Sequence, residues 1–360
     1  MKLPQLKIGD LIASVPIVQG GMGIGVSLSN LASAVANEGG IGVISGVQIG
    51  FREKNFKTDN DDANISGLVK EIKRARSLSP EGILGVNIMA AVNNYAEMVK
   101  AAVKEKIDII ISGAGLPKNL PELVMGSNTK IAPIVSSGKA ATTIAKMWDR
   151  KYEYVPDAVV VEGPNAGGHL GFSLDQLTSI KLPSLSELVE EVMEGLKPFE
   201  EKYKKAIPVI AAGGIYTGKD IVKFLKMGAS GVQMSTRFVA TEECDAHINF
   251  KKEYICANEE DIQLVKSPVG MPGRAIRNAF VETIEESKKA KIDRCYNCLK
   301  PCNPATTPYC ISDALISAVE GDTDKGLIFV GTNAYRMNEI VTVKELIKEL
   351  VDEAIKFFNM

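Results

Sequence analysis

Short runs of β-branched and other apolar residues alternate with longer amphipathic stretches along most of the chain. The apolar runs predict eight strands, at 16–19, 41–45, 83–88, 108–112, 130–135, 158–162, 208–211 and 231–234. The stretches between them predict helices near 29–38, 64–77, 93–105, 118–126, 138–150, 184–205 and 217–227. Asp220 near a helix start, and Gly39 and Gly228 after helix ends, are typical of such boundaries.

Strand–helix units joined by short links predict a parallel sheet with right-handed crossovers, and eight of them are enough to close a barrel. We therefore predict an α/β protein, a TIM (β/α)8 barrel over residues 1–243. Residues 244–310 break the alternation, and we expect a mostly helical insertion after strand eight that caps the barrel and includes a cysteine-rich loop. Residues 311–360 are expected to return to the barrel as C-terminal helices, because 341–357 has apolar residues at helical spacing.

Charge and hydropathy narrow the choice of partners. The 360 residues carry a formal net charge of -2, which gives no reason to expect nucleic acid. No apolar run reaches the roughly 18 residues that span a membrane, and the first residues lack the apolar core of a signal peptide. We expect a cytoplasmic protein that acts on a small-molecule substrate, without nucleic-acid or membrane partners. A homodimer is one possible assembly.

Glycines follow the predicted strand ends, where TIM barrels have their active sites. The apolar run 158–161 leads directly into 163–171, in which several glycines surround His169. The chain has only two histidines, and histidine exchanges a proton near neutral pH. His169 is therefore the candidate catalytic residue. The alternative is a turn histidine that caps nearby carbonyl groups.

The loops after strands seven and eight predict a phosphate site. Gly213 and Gly214 expose backbone amides on one loop, and residues 233–237 offer amides and hydroxyls on the other. Two such loops can hold a phosphate through their N–H groups. The alternative is that the glycines only close tight turns. A phosphate-bearing cofactor is the hypothesis that uses both loops.

The insertion contains three further candidate residues. His247 is predicted to begin a helix, which favours a structural role. Arg274 and Arg277 are three residues apart and are predicted to share one helix face. They are interpreted either as contacts to an acidic ligand or as solvated surface arginines.

Six segments, in this order, resemble the FMN-dependent nitronate monooxygenases, formerly called 2-nitropropane dioxygenases, and the related flavin-dependent enoyl-acyl-carrier-protein reductases. The segments are 16–22, 39–44, 85–89, 166–171, 208–215 and 228–240. The resemblance covers nearly the whole chain. It implies a TIM-barrel oxidoreductase that binds FMN, and His169 matches the catalytic histidine of the family.

The resemblance also implies which residues bind FMN. Gly21, Met22 and Gly23 would lie near the isoalloxazine, with Asn87 and Glu162 at its polar edges. Gly168, beside His169, would also contact the cofactor. The two phosphate loops would supply the rest: Ala212, Gly213 and Gly214 from one, and Gln233, Met234, Ser235 and Thr236 from the other. Ser235 departs from the glycine that is usual in the family, but a serine keeps its backbone N–H.

Both groups use the same barrel, flavin and histidine, so the resemblance leaves the activity open. We predict a nitronate monooxygenase, which would oxidise alkyl nitronates with O2. In the alternative, NAD(P)H would reduce FMN, which would pass hydride to an enoyl thioester; residues 245–251, with Arg274 and Arg277, resemble this reductase group. A flavin-binding protein without turnover is a third alternative, which would leave His169 without a role.

Four cysteines lie close together in the sequence near the end of the insertion. Cys295, Cys298, Cys302 and Cys310 have ligand-like spacing, which predicts an iron–sulfur cluster or a zinc ion. The first three resemble those of the 2,4-dienoyl-CoA reductases, whose last gap is longer. The alternative is a proline-rich loop with reduced thiols.

Overall fold

Strands and helices alternate over most of the chain in a computed structural model that describes residues 2–287 and 289–358. The strands are β1 (Leu6–Ile8), β2 (Leu11–Ala13), β3 (Ile17–Gln19), β4 (Ile41–Ser45), β5 (Ile83–Asn87), β6 (Ile109–Ser112), β7 (Lys130–Val135), β8 (Val159–Glu162), β9 (Gly168–His169), β10 (Val209–Ala212), β11 (Gly231–Met234), β12 (Ile262–Lys266) and β13 (Pro272–Ile276). The α-helices are α1 (Ser29–Asn37), α2 (Asn60–Leu78), α3 (Tyr95–Lys104), α4 (Leu120–Val124), α5 (Gly138–Tyr152), α6 (Leu174–Leu177), α7 (Leu185–Tyr203), α8 (Gly218–Lys226), α9 (Thr236–Val239), α10 (Ile248–Cys256), α11 (Ala279–Ser287), α12 (Ile311–Val319) and α13 (Val343–Phe358).

Eight of these strands form a closed parallel barrel. Their order is β3, β4, β5, β6, β7, β8, β10 and β11, and β11 pairs with β3 to complete the circle. The TIM-barrel prediction is therefore confirmed. The predicted bounds of β4, β7 and β11 agree with the structure, and those of the other barrel strands differ by one residue at one or both ends.

The barrel interior is filled by side chains from alternate positions of its strands. Val18, Ile41, Ile109, Val160 and Ile210 belong to this inner apolar cluster and are 0–1% exposed. The antiparallel pair β1 and β2 adds buried residues to the same cluster, so it covers one end of the barrel. The other end, at the carboxyl ends of the strands, is left for ligands.

The insertion after the barrel is less helical than predicted. It contains α10 and α11, but also the antiparallel hairpin of β12 and β13. Strand β13 pairs in turn with β9, the two-residue strand that contains His169. The predicted shared helix face of Arg274 and Arg277 is wrong, because Arg274 lies in β13 and Arg277 follows that strand.

The C-terminal helix packs on the outer layer of the barrel. Helix α13 packs on α8, and the N–H of Gly218 donates to the Glu353 carboxylate at 2.7 Å. A Cβ at Gly218 would lie 2.4 Å from the backbone nitrogen of Ala354, so this packing requires glycine. Among the described helices, none has both the length and the apolar character needed to cross a membrane.

Candidate active site

A cavity of about 440 Å³ opens at the carboxyl ends of the barrel strands. Its volume lies within the roughly 300–1,000 Å³ range of small-molecule sites. The loops after all eight barrel strands contribute to its barrel side, and Phe250, Tyr254, Met271 and Leu315 cover it from the insertion and the C-terminal part. The cavity therefore lies where the closed barrel predicts an active site.

The structure brings all fourteen predicted catalytic and cofactor-binding residues to this one cavity. They are Gly21, Met22, Gly23, Asn87, Glu162, Gly168, His169, Ala212, Gly213, Gly214, Gln233, Met234, Ser235 and Thr236. The barrel register explains part of this convergence, because Ala212 pairs with Glu162 on one side and with Gln233 on the other. Residues far apart in the sequence thus become neighbours at the rim.

The two loops predicted to bind phosphate have free backbone donors. Within residues 2–287 and 289–358, the N–H groups of Gly213, Gly214, Ser235 and Thr236 donate to no protein acceptor. Gly213 and Gly214 have φ of 96° and 83°, which favour glycine. A Cβ at Gly214 would also lie 2.8 Å from the Cβ of Asn165. Free amides in a conformation that only glycine adopts easily are suited to a phosphate group.

Two polar side chains of the cavity wall have no hydrogen-bond partner among the described residues, which also fits a bound flavin. The amide oxygen of Gln233 is buried and accepts no hydrogen bond in the described part of the chain. The Glu162 carboxyl accepts none from the residues that the structure describes, and burial raises its pKa to about 7. A ligand with N–H and O–H donors, such as an isoalloxazine with a ribityl chain, would satisfy both groups.

His169 is held at the edge of the cavity by the insertion and not by the barrel. Its neighbour Leu170 donates through its N–H to the carbonyl oxygen of Pro272 at 2.9 Å, beside the β9–β13 pairing. Its Nε2 lies 2.6 Å from the Oγ of Ser267, and its ring meets the Phe329 ring edge-on at 4.9 Å. Burial lowers the pKa of His169 to about 4, so the imidazole is neutral near pH 7.

Arg274 is a structural residue of this site, and neither of its predicted roles is correct. It is buried, and its guanidinium donates to the carbonyl oxygens of Pro164 and Ala166. These carbonyls belong to the loop that leads from β8 to His169. Arg274 therefore fixes that loop and does not face an acidic ligand.

The metal prediction for the four cysteines is not supported. In the described part of the chain, no three His, Cys, Asp or Glu residues form a group that could hold a metal ion. Cys298 lines the cavity and accepts a hydrogen bond from Ser312, whereas Cys295 is exposed and Cys310 immediately precedes α12. Their spacing resembled a ligand set, but in the described residues the four thiols do not form one ligand site.

His247 has the structural role that was predicted. It precedes α10, and its Nδ1 accepts a hydrogen bond from the N–H of Asn249 at 3.2 Å. Its own N–H donates to the carbonyl oxygen of Val319. The second histidine is therefore a helix cap, away from the cavity lining.

The sequence prediction missed several residues of the site. Ser267 contacts His169, and Asn333 donates through Nδ2 to the carbonyl oxygen of Gly214 at 2.8 Å. Phe329 and Thr332 also line the cavity. The turn residues 267–270 are a signal for a hairpin, but nothing local in the sequence indicates that this hairpin meets His169.

Comparisons with known proteins agree with this architecture. The family model described as nitronate monooxygenase matches residues 6–353. The "(3aS,4S,5R,7aS)-5-hydroxy-7a-methyl-1-oxo-octahydro-1H-indene-4-carboxyl-CoA dehydrogenase" of Rhodococcus jostii is 25% identical and covers 95% of this chain and 93% of its own. A probable nitronate monooxygenase of Staphylococcus aureus is also 25% identical, over 75% of this chain and 78% of its own.

A solved structure is similar over nearly the full length. FabK from Thermotoga maritima matches with a TM-score of 0.72 and 28% identity, covering 96% of this chain and 94% of its own. The family match includes the barrel, the cavity and the His169 loop. The chain therefore belongs to the nitronate monooxygenase family of oxidoreductases.

Proposed function

We propose that the protein is an FMN-dependent nitronate monooxygenase that oxidises alkyl nitronates with O2. The observation that carries the proposal is that a neutral His169 and a set of free backbone amides open onto the same cavity. The family match supports the reaction class.

The six cysteines are all free, which supports a cytoplasmic location.

FMN fits the residues of the cavity. The amides of Gly213, Gly214, Ser235 and Thr236 would hold its phosphate, and Gln233 with Glu162 would accept hydrogen bonds from its polar groups. When bound, FMN supplies the two-electron acceptor of the reaction. The narrow space between the Gly21 backbone and the Asn87 side chain leaves no room for a larger residue at position 21.

The chain's own contribution is to bind and orient the substrate beside the flavin. The ionisable groups of the described lining are Glu162, His169, Tyr254 and Cys298. Among these four side chains, His169 is the only base, and its pKa of about 4 keeps it uncharged at neutral pH. It can therefore form a hydrogen bond with the nitro oxygens of a substrate or exchange a proton with the substrate.

A second candidate function is an NAD(P)H-dependent enoyl reductase. Among the described residues, no Lys or Arg lines the cavity, which suits a neutral enoyl thioester better than an anionic nitronate. The Rhodococcus relative, whose name specifies a CoA compound, also covers more of this chain than the Staphylococcus relative does. In this alternative His169 would contact the thioester carbonyl.

Anaerobic mixing of the flavin-loaded protein tests both candidates. We expect the nitronate of 2-nitropropane to bleach the flavin absorbance, and O2 to restore it with release of nitrite. NADH and NADPH are mixed separately, and His247→Ala serves as a control because His247 lies outside the cavity lining. Bleaching by a nicotinamide cofactor alone would replace the monooxygenase proposal with the reductase.

A further inference from the structure

The hydroxyl of Ser267 is buried directly against the imidazole of His169. Ser267 follows β12 at the turn of the hairpin and is 3% exposed. Its Oγ lies 2.6 Å from Nε2 of His169, within hydrogen-bonding distance. Since the imidazole is neutral, one of these two groups donates to the other, and the choice decides which ring nitrogen bears the proton.

The other hydrogen bonds of Ser267 decide the direction. The N–H of Val269 donates to the same Oγ at 3.4 Å, so one lone pair is already in use. Within residues 2–287 and 289–358, the hydroxyl proton has no acceptor other than Nε2 of His169. If Nε2 carried the ring proton and donated it to Ser267, the serine proton would be buried without a partner. When serine donates, the proton without a protein partner is instead on Nδ1 of His169, which lines the cavity, where solvent or a ligand can accept it. Buried donors without partners are costly, so the arrangement in which serine donates is favoured.

We propose that Ser267 is a positioning residue that donates to Nε2 and holds His169 in the tautomer protonated at Nδ1. No protein atom in the described part of the chain forms a hydrogen bond with Nδ1. Its N–H is therefore left for the substrate, and only this last assignment rests on the proposed function.

The ring is also restrained from other directions. Phe329 packs edge-on against it, and the backbone of His169 pairs with Gly273 of β13. Ser267 and Gly273 belong to the same hairpin, so one element fixes both the backbone and the hydrogen bond of His169. His169 is thereby preset as a hydrogen-bond donor toward an oxygen of the substrate. It does not offer a basic nitrogen there in the resting enzyme.

Nitrogen NMR of the flavin-loaded protein tests the tautomer directly. With ¹⁵N-labelled histidine, the ring-nitrogen signals come from only two imidazoles, those of His169 and His247. The variant His247→Gln assigns them. We expect the His169 Nδ1 resonance at the position of a protonated ring nitrogen and the Nε2 resonance at that of an unprotonated one. The reverse assignment in the unchanged protein would overturn the proposal.

Three variants separate positioning from a general structural effect. Ser267→Ala should move both His169 resonances toward the other tautomer, whereas Ser267→Thr, which keeps the hydroxyl, should restore them. Ser312→Ala removes a buried hydroxyl of the cavity wall that makes no hydrogen bond with His169, and it should leave both His169 signals unchanged. Unchanged His169 resonances in Ser267→Ala would overturn the proposal. Should that variant fail to fold, the assignment in the unchanged protein and in Ser267→Thr decides.

This test does not depend on the proposed function. If the expected tautomer is found but the nitronate leaves the flavin oxidised, the monooxygenase proposal fails and the role of Ser267 stands. If the nitronate bleaches the flavin but Nε2 is protonated, the function stands and the role of Ser267 fails.

Discussion

The guanidinium of Arg274 donates to the carbonyl oxygen of Pro164 at 2.9 Å. This bond joins strand β13 of the insertion to the loop that follows barrel strand β8. Because β13 also pairs with β9, the His169 segment is attached to the insertion both through its backbone and through the Arg274 side chain. The His169 loop should therefore be sensitive to changes in the hairpin that do not touch the cavity.

Replacing Arg274 tests this attachment. Arg274→Met removes the donors to the carbonyls of Pro164 and Ala166, and we expect the free energy of unfolding to fall by about 1–3 kcal/mol. Arg277→Met is the control, because Arg277 is exposed and its ion pair with Glu282 should contribute less than about 1 kcal/mol. Urea denaturation of both variants provides the comparison. Equal losses would show that Arg274 has no special part in holding the loop.

Flavin binding should depend on the absence of a side chain at position 214. Gly214→Ala places a Cβ against Asn165 in the loop whose amides face the proposed phosphate, so the FMN content of the purified protein should fall. Gly126→Ala is the matched control, since Gly126 has a similar φ of 80° but no atom within 4 Å of its Cβ position. The measurement is flavin absorbance per protein, with chromatography of the released cofactor. Full occupancy in Gly214→Ala, or recovery of FAD, would contradict the proposed site.

Removing the candidate catalytic histidine should abolish most turnover without loss of flavin. His169→Ala is expected to lower kcat by about 10²-fold or more, because the variant loses the hydrogen-bond donor proposed to contact the substrate. His247→Ala should affect stability instead, because His247 caps α10. Steady-state kinetics with the substrate found by flavin bleaching provide the test. Normal kcat in His169→Ala would make His169 a structural residue.

Glu162 should make the stability of the protein decrease as the pH rises. Its pKa in the folded protein is about 7, above its ordinary value of 4.5, because burial favours the neutral acid. The folded protein then holds the proton more tightly than the unfolded chain does. The resulting contribution is fully present below pH 4.5 and is lost as the pH rises through about 7. It amounts to up to about 3 kcal/mol.

The variant Glu162→Gln isolates this effect. In flavin-free samples, its free energy of unfolding relative to the unchanged protein should rise between pH 4.5 and pH 7 and then level off. His169 contributes the opposite slope, because its pKa is lowered to about 4 and its contribution is lost as the pH falls below 6.5. The unchanged protein should therefore show a flatter profile than the variant. A constant difference between the two proteins at all pH values would rule out a raised pKa for Glu162.

The barrel could be predicted from the sequence because its signals are local. Strands β4 and β7 are buried, β-branched runs, and the amphipathic helices between the barrel strands repeat often enough to fix the count. The convergence of Gly213, Gly214 and Gln233 then follows from the geometry of any closed parallel barrel. This part of the site required no knowledge of side-chain contacts.

The hairpin and the cysteine segment could not be predicted in the same way. Strand β12 has partly buried residues on both faces and no clear alternation, and β9 has only two residues. Strand β9 pairs with β13 across about a hundred residues, and the contact between His169 and Ser267 has the same long range. Cysteine spacing likewise gives no information on side-chain direction, which is why the ligand-like pattern from Cys295 to Cys310 was misleading.

Cofactor binding and the positioning of His169 are assigned to different parts of the chain, which has an evolutionary consequence. The backbone amides proposed to hold the cofactor come from the loops after β10 and β11, whereas the partner of His169 comes from the turn between β12 and β13. Mutations in the hairpin can therefore change the orientation and hydrogen bonding of His169 while the cofactor loops keep their sequence. A lineage could change its substrate by replacing residues of this hairpin, and exchanging residues 262–276 between relatives would be a way to engineer the same change.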